Sequence, residues 1–197
     1  MKNILFITSS LNGYQGQSTM LGEVLLSNLT AGANVNVVKR DLATDNLPHL
    51  TQAEMGAWMT EESQRNEEQA RLAETSDKLI KELQDSDILV LSMPMYNFGV
   101  PSTFKAWVDR VARAGLTFSY TENGPVGLLE NKKAIVVAVR GGIYAGTEHD
   151  SQTQYLKDFL AFIGIKDVSF TYAEGLNMPG SEGRLASAQK ELTQIKL

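Results

Sequence analysis

The stretch DILVLSMPMYNFGVPSTFKAWVDR, residues 87–110, decides the fold. Its first part, Asp87–Ser92, is a short apolar run that predicts a buried strand. Its last part predicts a helix, because apolar residues recur at i, i+3, i+4 and i+7. That helix face consists of Phe104, Trp107 and Val108 and continues at Val111, just after the stretch. Between strand and helix, the segment Pro94–Gly99 carries large side chains where connecting segments normally meet solvent. We therefore expect Tyr96 and Phe98 to support a flat ligand.

The same alternation of strand and helix continues along the rest of the chain. Four further apolar runs predict strands at Asn3–Thr8, Val35–Val38, Ala134–Val139 and Val168–Tyr172. Other helical patterns cover Ser18–Leu29, Leu72 to near Asp85, Tyr155–Ile163 and Glu182–Ile195. Continuously apolar strands between helices indicate a parallel sheet covered on both faces. We predict a single doubly wound α/β domain over residues 1–197, with five parallel strands in the flavodoxin-like order 2-1-3-4-5. A six-stranded Rossmann order is the alternative, disfavoured because only five strands can be counted.

Composition excludes several classes of function. The chain has 197 residues, 43% of them hydrophobic, a net charge of −5 and no cysteine. The acidic balance argues against nucleic acid or an anionic membrane as the main partner. Without cysteine there is no disulfide, thiolate metal site or Cys nucleophile, and with only two histidines we predict no metal. The N-terminus lacks a signal-peptide pattern and no run reaches membrane-spanning length, so a soluble cytoplasmic protein is expected.

Three loops of the predicted sheet meet at one crevice. In the order 2-1-3-4-5, ligands bind beyond the carboxyl ends of the strands, where the segments after strands one, three and four converge. The first segment, Ser9–Thr19, is uncharged and opens a helix, whose N-terminal amides can hold a phosphate. It matches neither a Walker loop nor G-x-G-x-x-G, and Ser18 could simply cap the helix. After strand four, Gly141 and Gly142 allow close backbone approach to a ligand. An ordinary turn is the alternative, and Gly-Gly alone is a weak signal. A flat ring with a phosphate tail fits all three loops.

At these residues the chain resembles the FMN-dependent NADH:azoreductase family, flavodoxin-like flavoenzymes that also reduce quinones. The matching stretches are Ser9-Ser10, Gln17-Ser18, Pro94–Phe98, Val111–Gly115, Thr117-Phe118, Tyr120–Pro125, Arg140–Gly142, Phe159-Leu160, Phe162–Gly164 and Ala173–Gly175. The likeness runs nearly from end to end. The Pro-Met-Tyr-Asn-Phe, Ala-Arg-Ala-Gly and Tyr-Thr-Glu-Asn-Gly-Pro stretches are its specific part.

The resemblance implies a tightly but non-covalently bound FMN. Its phosphate would lie at Ser10, Gly16, Gln17 and Ser18. Its isoalloxazine would lie against Met95, Tyr96, Asn97, Phe98, Val139, Arg140, Gly141 and Gly142. The Asn97 side chain and the loop amides are candidates to hydrogen-bond the ring. The family often has Ser where Gly16 and Val139 stand, so at both positions only backbone groups are available here.

The resemblance also implies the reaction and its participants. NADH would pass a hydride to FMN and leave, and a quinone or azo compound would then take two electrons at the same place. The sequence does not choose between NADH and NADPH. Because the flavin carries the chemistry, no catalytic residue is assigned to the protein. His49 and His149 could lend a proton, but a solvated loop position is the stronger interpretation for both.

Aromatic residues and a second subunit complete the implied site. Phe118, Tyr120 and Phe162 are candidates for the acceptor side, with core packing the stronger interpretation for Phe162. The family works as homodimers with the site between subunits. The long segment Asp41–Arg65, with Trp58 and Met59, is a candidate to reach across the interface.

Two other classes of protein share this predicted fold. A flavodoxin-like electron carrier without its own small-molecule substrate is the first, although a carrier needs an exposed ring edge and this chain has two long excursions, at 41–65 and 117–132. A receiver domain is the second. It would need clustered acidic residues after strand one and an acceptor Asp after strand three, and the chain has Ser9, Ser10 and Pro94–Asn97 there.

Overall fold

A five-stranded parallel sheet organises the chain in a computed structural model that describes residues 1–197. Its strands are β1 (Lys2–Thr8), β2 (Val35–Asp41), β3 (Ile88–Pro94), β6 (Lys133–Val139) and β7 (Asp167–Ala173). They lie in the order β2-β1-β3-β6-β7. The two remaining strands, β4 (Phe118–Thr121) and β5 (Gly124–Gly127), form a separate antiparallel hairpin. The predicted order 2-1-3-4-5 is therefore confirmed for the main sheet.

Helices cover the sheet on both faces, which explains the unbroken apolar runs of the central strands. The helices are α1 (Gln17–Thr30), α2 (Gln52–Met59), α3 (Glu67–Asp85), α4 (Ser102–Val111), α5 (Ser151–Phe162) and α6 (Ser181–Leu192). One core lies between the sheet and α1 and α6, and a larger core lies between the sheet and α3, α4 and α5. Every residue of β3 is buried because its side chains alternate between these cores. None of the helices is long and apolar enough to cross a bilayer.

Both long excursions are held by specific contacts. In the first, α2 begins with a capping box in which Thr51 and Glu54 bond each other's backbone amides. The buried Glu54 carboxylate also pairs with Arg110 of α4 at 2.6 Å. In the second, the hairpin packs where α5 ends, so closely that a Cβ on Gly127 would lie 2.0 Å from the Gly164 nitrogen. Both excursions are therefore ordered parts of the fold.

Candidate functional site

The N-terminus of α1 carries unused hydrogen-bonding groups. Gly16 is the N-cap residue and offers no side chain, and the first helical bond runs from the Met20 amide to the Gly16 carbonyl. The amides of Gln17, Ser18 and Thr19 have no acceptor in the protein. The Ser18 and Thr19 hydroxyls are buried and also lack a partner. Ser18 thus lies inside the helix and does not cap it, so the capping alternative was wrong.

The approach to this helix is tightly packed at Gly16. A Cβ added to Gly16 would lie 2.1 Å from the Ser10 hydroxyl. Ser10 is itself buried, and its hydroxyl accepts from the Asn12 amide at 3.2 Å. Any larger residue at position 16 would displace the Ser10 side chain. Gly16 therefore leaves the room that the Ser10 side chain occupies.

The loop after β3 is a tight turn held in a strained conformation. The backbone groups of Tyr96 and Gly99 exchange two hydrogen bonds, at 3.1 and 2.9 Å. Asn97 and Phe98 between them have φ of 50° and 65°, the left-handed values of a type I′ turn. Asn tolerates this region, but a large residue such as Phe rarely adopts it. Such strain is typical of functional sites.

That turn exposes one ring and anchors another. The Phe98 ring is 54% exposed and packs edge-on against Tyr144, with centroids 5.6 Å apart. The Tyr96 hydroxyl accepts from the Leu11 amide at 3.1 Å, which joins the loops after β1 and β3. A cavity of about 920 Å³ lies beside Met95–Asn97, between α4 and α5. Exposed His49 is at its edge.

The loop after β6 presents backbone amides. The carbonyls of Arg140, Gly141 and Gly142 accept from the amides of residues 176, 177 and 175, at 3.1, 3.0 and 2.7 Å. The amides of Gly141 and Gly142 have no acceptor in the protein. The Val139 side chain belongs to the core beside α1 and α6, and its carbonyl accepts from the Met95 amide at 3.0 Å. The carbonyl and the side chain of Val139 are thus both in contact with the protein, and its place beside the ring stays a prediction.

Arg140 behaves differently from the other predicted site residues, because its side chain is buried in the protein. The guanidinium pairs with Asp150 at 2.8 Å and with Glu174 at 3.0 Å, and its side chain is 0% exposed. Its amide donates to the Ala173 carbonyl at 2.9 Å. Burial alone would raise the pKa of the Asp150 carboxyl, but the bonds from Arg140 and from the Thr153 amide outweigh it and lower that pKa. The Arg140 side chain therefore lies inside the protein, beneath the loop after β6, and holds Asp150 and Glu174 together.

Sequence reasoning missed two polar residues behind the crevice, Gln152 and Glu174. Gln152 is 0% exposed and bonds the carbonyls of Pro94 and Gly99 at 2.9 and 3.1 Å. Glu174 accepts from the amides of the loop after β6. Glu174 falls in a stretch that matches the family, but no local pattern reveals its partners.

The predicted acceptor-side aromatics form their own cluster, away from the crevice of the same chain. The Phe118 ring lies 5.4 Å from Tyr120 and 4.3 Å from Phe162. Phe162 ends α5, whose first residue, Ser151, bonds the Phe98 carbonyl in the turn after β3. The 12 residues of α5 span roughly 17 Å at 1.5 Å per residue. The cluster therefore lies near the amino ends of the strands, at the opposite end of the sheet from the crevice.

Known proteins are similar to this chain over almost its whole length. Residues 2–195 match a family model described as a flavodoxin-like fold. The FMN-dependent NADH:quinone oxidoreductase of Alteromonas mediterranea is 53% identical over 100% of this chain and 98% of its own length. The enzyme of the same name from Cellvibrio japonicus is 48% identical over 98% of each chain. The chain belongs to this family of flavodoxin-like oxidoreductases.

Solved structures agree with the family assignment. An azoreductase from Bacillus anthracis has 26% sequence identity and a TM-score of 0.89, over 98% of both chains. An FMN-dependent NADH-azoreductase from the same species, in complex with FMN, has 25% identity and a TM-score of 0.88, over 98% of this chain and 97% of its own. The resemblance to the azoreductase family is thereby confirmed, and the receiver-domain alternative is set aside.

Proposed function

We propose that this protein is an FMN-dependent NADH:quinone oxidoreductase that also reduces azo compounds. Relatives at about half identity carry the first name, and solved neighbours carry the second. The observation that carries the proposal is the N-terminus of α1, where the amides of residues 17–19 and two buried hydroxyls all lack partners. Buried polar groups without partners are rare in native proteins, and their convergence with free amides at one helix N-terminus favours a bound anion.

The residues present fit FMN. The Gln17, Ser18 and Thr19 amides and the Ser18 and Thr19 hydroxyls would hold the phosphate, which a helix N-terminus binds without a cation. The segment 9–19 offers no charged side chain that could serve instead. The turn at Met95–Phe98 would support the ring.

The chain's own residues bind and orient, and the flavin supplies the redox chemistry. When bound, FMN would supply two-electron redox chemistry between NADH and a quinone or azo compound. The Asn97 side chain amide and the free amides of Gly141 and Gly142 are the candidate donors to the ring. The exposed ring of Phe98 would shield it from water at one side.

A second copy of the chain would complete the acceptor side. The Phe118, Tyr120 and Phe162 cluster lies roughly a helix length from the crevice of its own chain, so it could line a crevice only from another subunit. Tyr120 is 75% exposed, which leaves its ring free to do so. Met59, 87% exposed on α2, is a candidate contact of the same homodimer. A cytoplasmic location stays a prediction.

Steady-state kinetics test the proposal. FMN-loaded protein, NADH and a soluble benzoquinone are combined at varied concentrations, with no other protein added. A ping-pong enzyme gives parallel double-reciprocal lines, since NAD⁺ leaves before the quinone binds. If NADH is oxidised only after an electron-transfer protein is added, the electron-carrier alternative holds and the proposal is wrong.

A further inference from the structure

We propose that Glu174 is a positioning residue for the flavin ring: it anchors the end of the loop after β6, which carries the free amides, and, with Arg140 and Asp150, places a net negative charge behind that loop. This inference rests on the proposed function, because it concerns the same site. Three features of the structure support it: the course of the loop, the buried ion cluster and the link from that cluster to the loop after β3.

The backbone amides of this loop change direction between residues 143 and 144, where the Glu174 carboxylate begins to accept them. The carbonyls of Arg140, Gly141 and Gly142 all accept from the segment 175–177. In a trans peptide the N–H points opposite the carbonyl, so the next amides, those of residues 141–143, point away from that segment. They have no acceptor in the protein. The loop thus offers three successive amides to a ligand.

The Glu174 carboxylate fixes the reversal. Its Oε1 accepts from the Tyr144 and Ala145 amides, both at 2.9 Å. These two amides point toward the protein, unlike the three before them. Without the Glu174 carboxylate, the amides of Tyr144 and Ala145 would both be unpaired. The loop would then lose the contact that holds its C-terminal end. The bonds from residues 175–177 orient the amides of residues 141–143, and Glu174 anchors the end of the loop that carries them.

Arg140 holds Glu174 and extends the same support to the loop after β3. Its guanidinium bonds Glu174 at 3.0 Å and Gln152 Oε1 at 3.2 Å. The Gln152 amide group then bonds the carbonyls of Pro94 and Gly99. One buried side chain thus sets the relative position of the two loops that would bear the ring.

The cluster carries an unbalanced charge. Two carboxylates, those of Asp150 and Glu174, share the single positive charge of Arg140. Their side chains are 8% and 11% exposed, so solvent screens them little. A net negative charge behind the loop opposes the addition of electrons to a nearby ring. Removing the negative charge of Asp150 or of Glu174 should therefore make a bound flavin easier to reduce.

Glu174→Gln separates charge from position, because its amide oxygen still accepts from both loop amides. We expect FMN affinity within about threefold of the wild type. The two-electron equilibrium should shift toward the reduced flavin by about tenfold, which is about 30 mV for such a couple. Glu174→Ala removes the acceptor as well, and FMN affinity should fall at least tenfold. FMN affinity is measured by fluorescence quenching and the potential by equilibration with a reference dye.

The matched control is Glu148→Gln. It removes the same charge from the same loop, but the Glu148 side chain is 87% exposed. We expect a shift of less than twofold. Asp150→Asn is the second test variant, since Asn also caps a helix and its loss of charge should shift the equilibrium in the same direction as Glu174→Gln.

The outcomes separate the two proposals. If the wild-type protein binds no FMN, the proposed function fails. If it binds FMN and NADH reduces it, but Glu174→Gln and Asp150→Asn shift the equilibrium no more than Glu148→Gln, only this inference is wrong. Should Glu174→Gln fail to fold, Asp150→Asn alone decides the role of the charge.

Discussion

At the scale of single residues, Ser18 is the most informative side chain. Its hydroxyl is buried, lies in the first turn of α1 and has no partner in the protein. An unpaired buried hydroxyl destabilises a fold unless a ligand satisfies it. The Ser18 hydroxyl should therefore lower the stability of the flavin-free protein and raise the stability of the FMN-bound protein.

We predict that Ser18→Ala weakens FMN binding by roughly ten- to a hundredfold, since a hydrogen bond to a charged group contributes about 1.5–3 kcal/mol. Riboflavin, which lacks the phosphate, should bind equally to both proteins. The flavin-free variant should be at least as stable as the wild type. Fluorescence titration with both flavins measures the first effects and thermal unfolding the last. Ser27→Ala, on the exposed side of α1, is the control. Equal loss of FMN and riboflavin affinity would contradict a phosphate contact.

Asp150 gives a second residue-scale prediction, on acid stability. The pKa of its carboxyl is lower in the folded protein than in the unfolded chain, where it is near 3.9. Its contribution to the free energy of unfolding is therefore complete above that value and lost as pH falls through the folded pKa. We expect wild type to be more stable than Asp150→Asn by a constant amount above about pH 5, and by less below pH 4. Urea unfolding across this pH range measures the difference. A difference that grows on acidification would contradict the ion pair with Arg140.

At the scale of elements, the turn after β3 combines strain with exposure. Phe98 adopts a left-handed backbone conformation that costs a residue with a Cβ roughly 1–2 kcal/mol. Glycine relieves that strain but loses more freedom on folding, by about 0.4–1 kcal/mol. The flavin would explain why Phe is present.

We predict that Phe98→Gly raises the free energy of unfolding of the flavin-free protein by about 0.5–1 kcal/mol. It should lower FMN affinity, because the exposed ring is lost. Chemical denaturation and FMN titration measure the two effects. Asn131→Gly is the control. Its φ is 60°, and it lies in the turn before β6, at the amino ends of the strands and away from the proposed site. It should change stability alone. A Phe98→Gly variant with unchanged FMN affinity would remove the turn from the site.

The elements also show what sequence reasoning can recover. The strands of the main sheet were predicted because burial on both faces leaves continuous apolar runs. α2 was missed, although Thr51-Gln52-Ala53-Glu54 has the pattern of a capping box. The β4–β5 hairpin was missed because each strand has only four residues and depends on packing against Gly164.

The candidate site was recovered only in part, for a related reason. Strand order alone predicts which loops meet, so the loops after β1, β3 and β6 could be named. The direction of the Arg140 side chain could not, since its partners lie ten or more residues away on other elements. The φ of Asn97 and Phe98 leaves no sequence signal either.

At the scale of the whole molecule, the proposed acceptor side requires a second subunit. We predict that Tyr120→Ala raises the quinone KM and leaves FMN affinity unchanged. Ser18→Asp should abolish FMN binding by repelling the phosphate. In a heterodimer of the two variants, the only loaded crevice belongs to the Tyr120→Ala subunit, but the intact Tyr120 of the other subunit would line it.

Mixing therefore gives a sharp test. Tyr120→Ala protein is combined with a tenfold excess of FMN-free Ser18→Asp protein and allowed to exchange subunits. The quinone KM should return to the wild-type value. The same excess of a Ser18→Asp, Tyr120→Ala double variant is the control and should restore nothing. A KM that stays high with both partners would mean that Tyr120 does not act across subunits.

The central claim, that this chain binds FMN and passes electrons from NADH to a small acceptor, is tested most directly by an anaerobic visible spectrum. The purified protein is loaded with FMN, NADH is added, and a quinone follows. We predict a perturbed flavin spectrum that bleaches with NADH and returns in full with the quinone. A flavin that stays free in solution, or one that binds but is not bleached by NADH, would contradict the account.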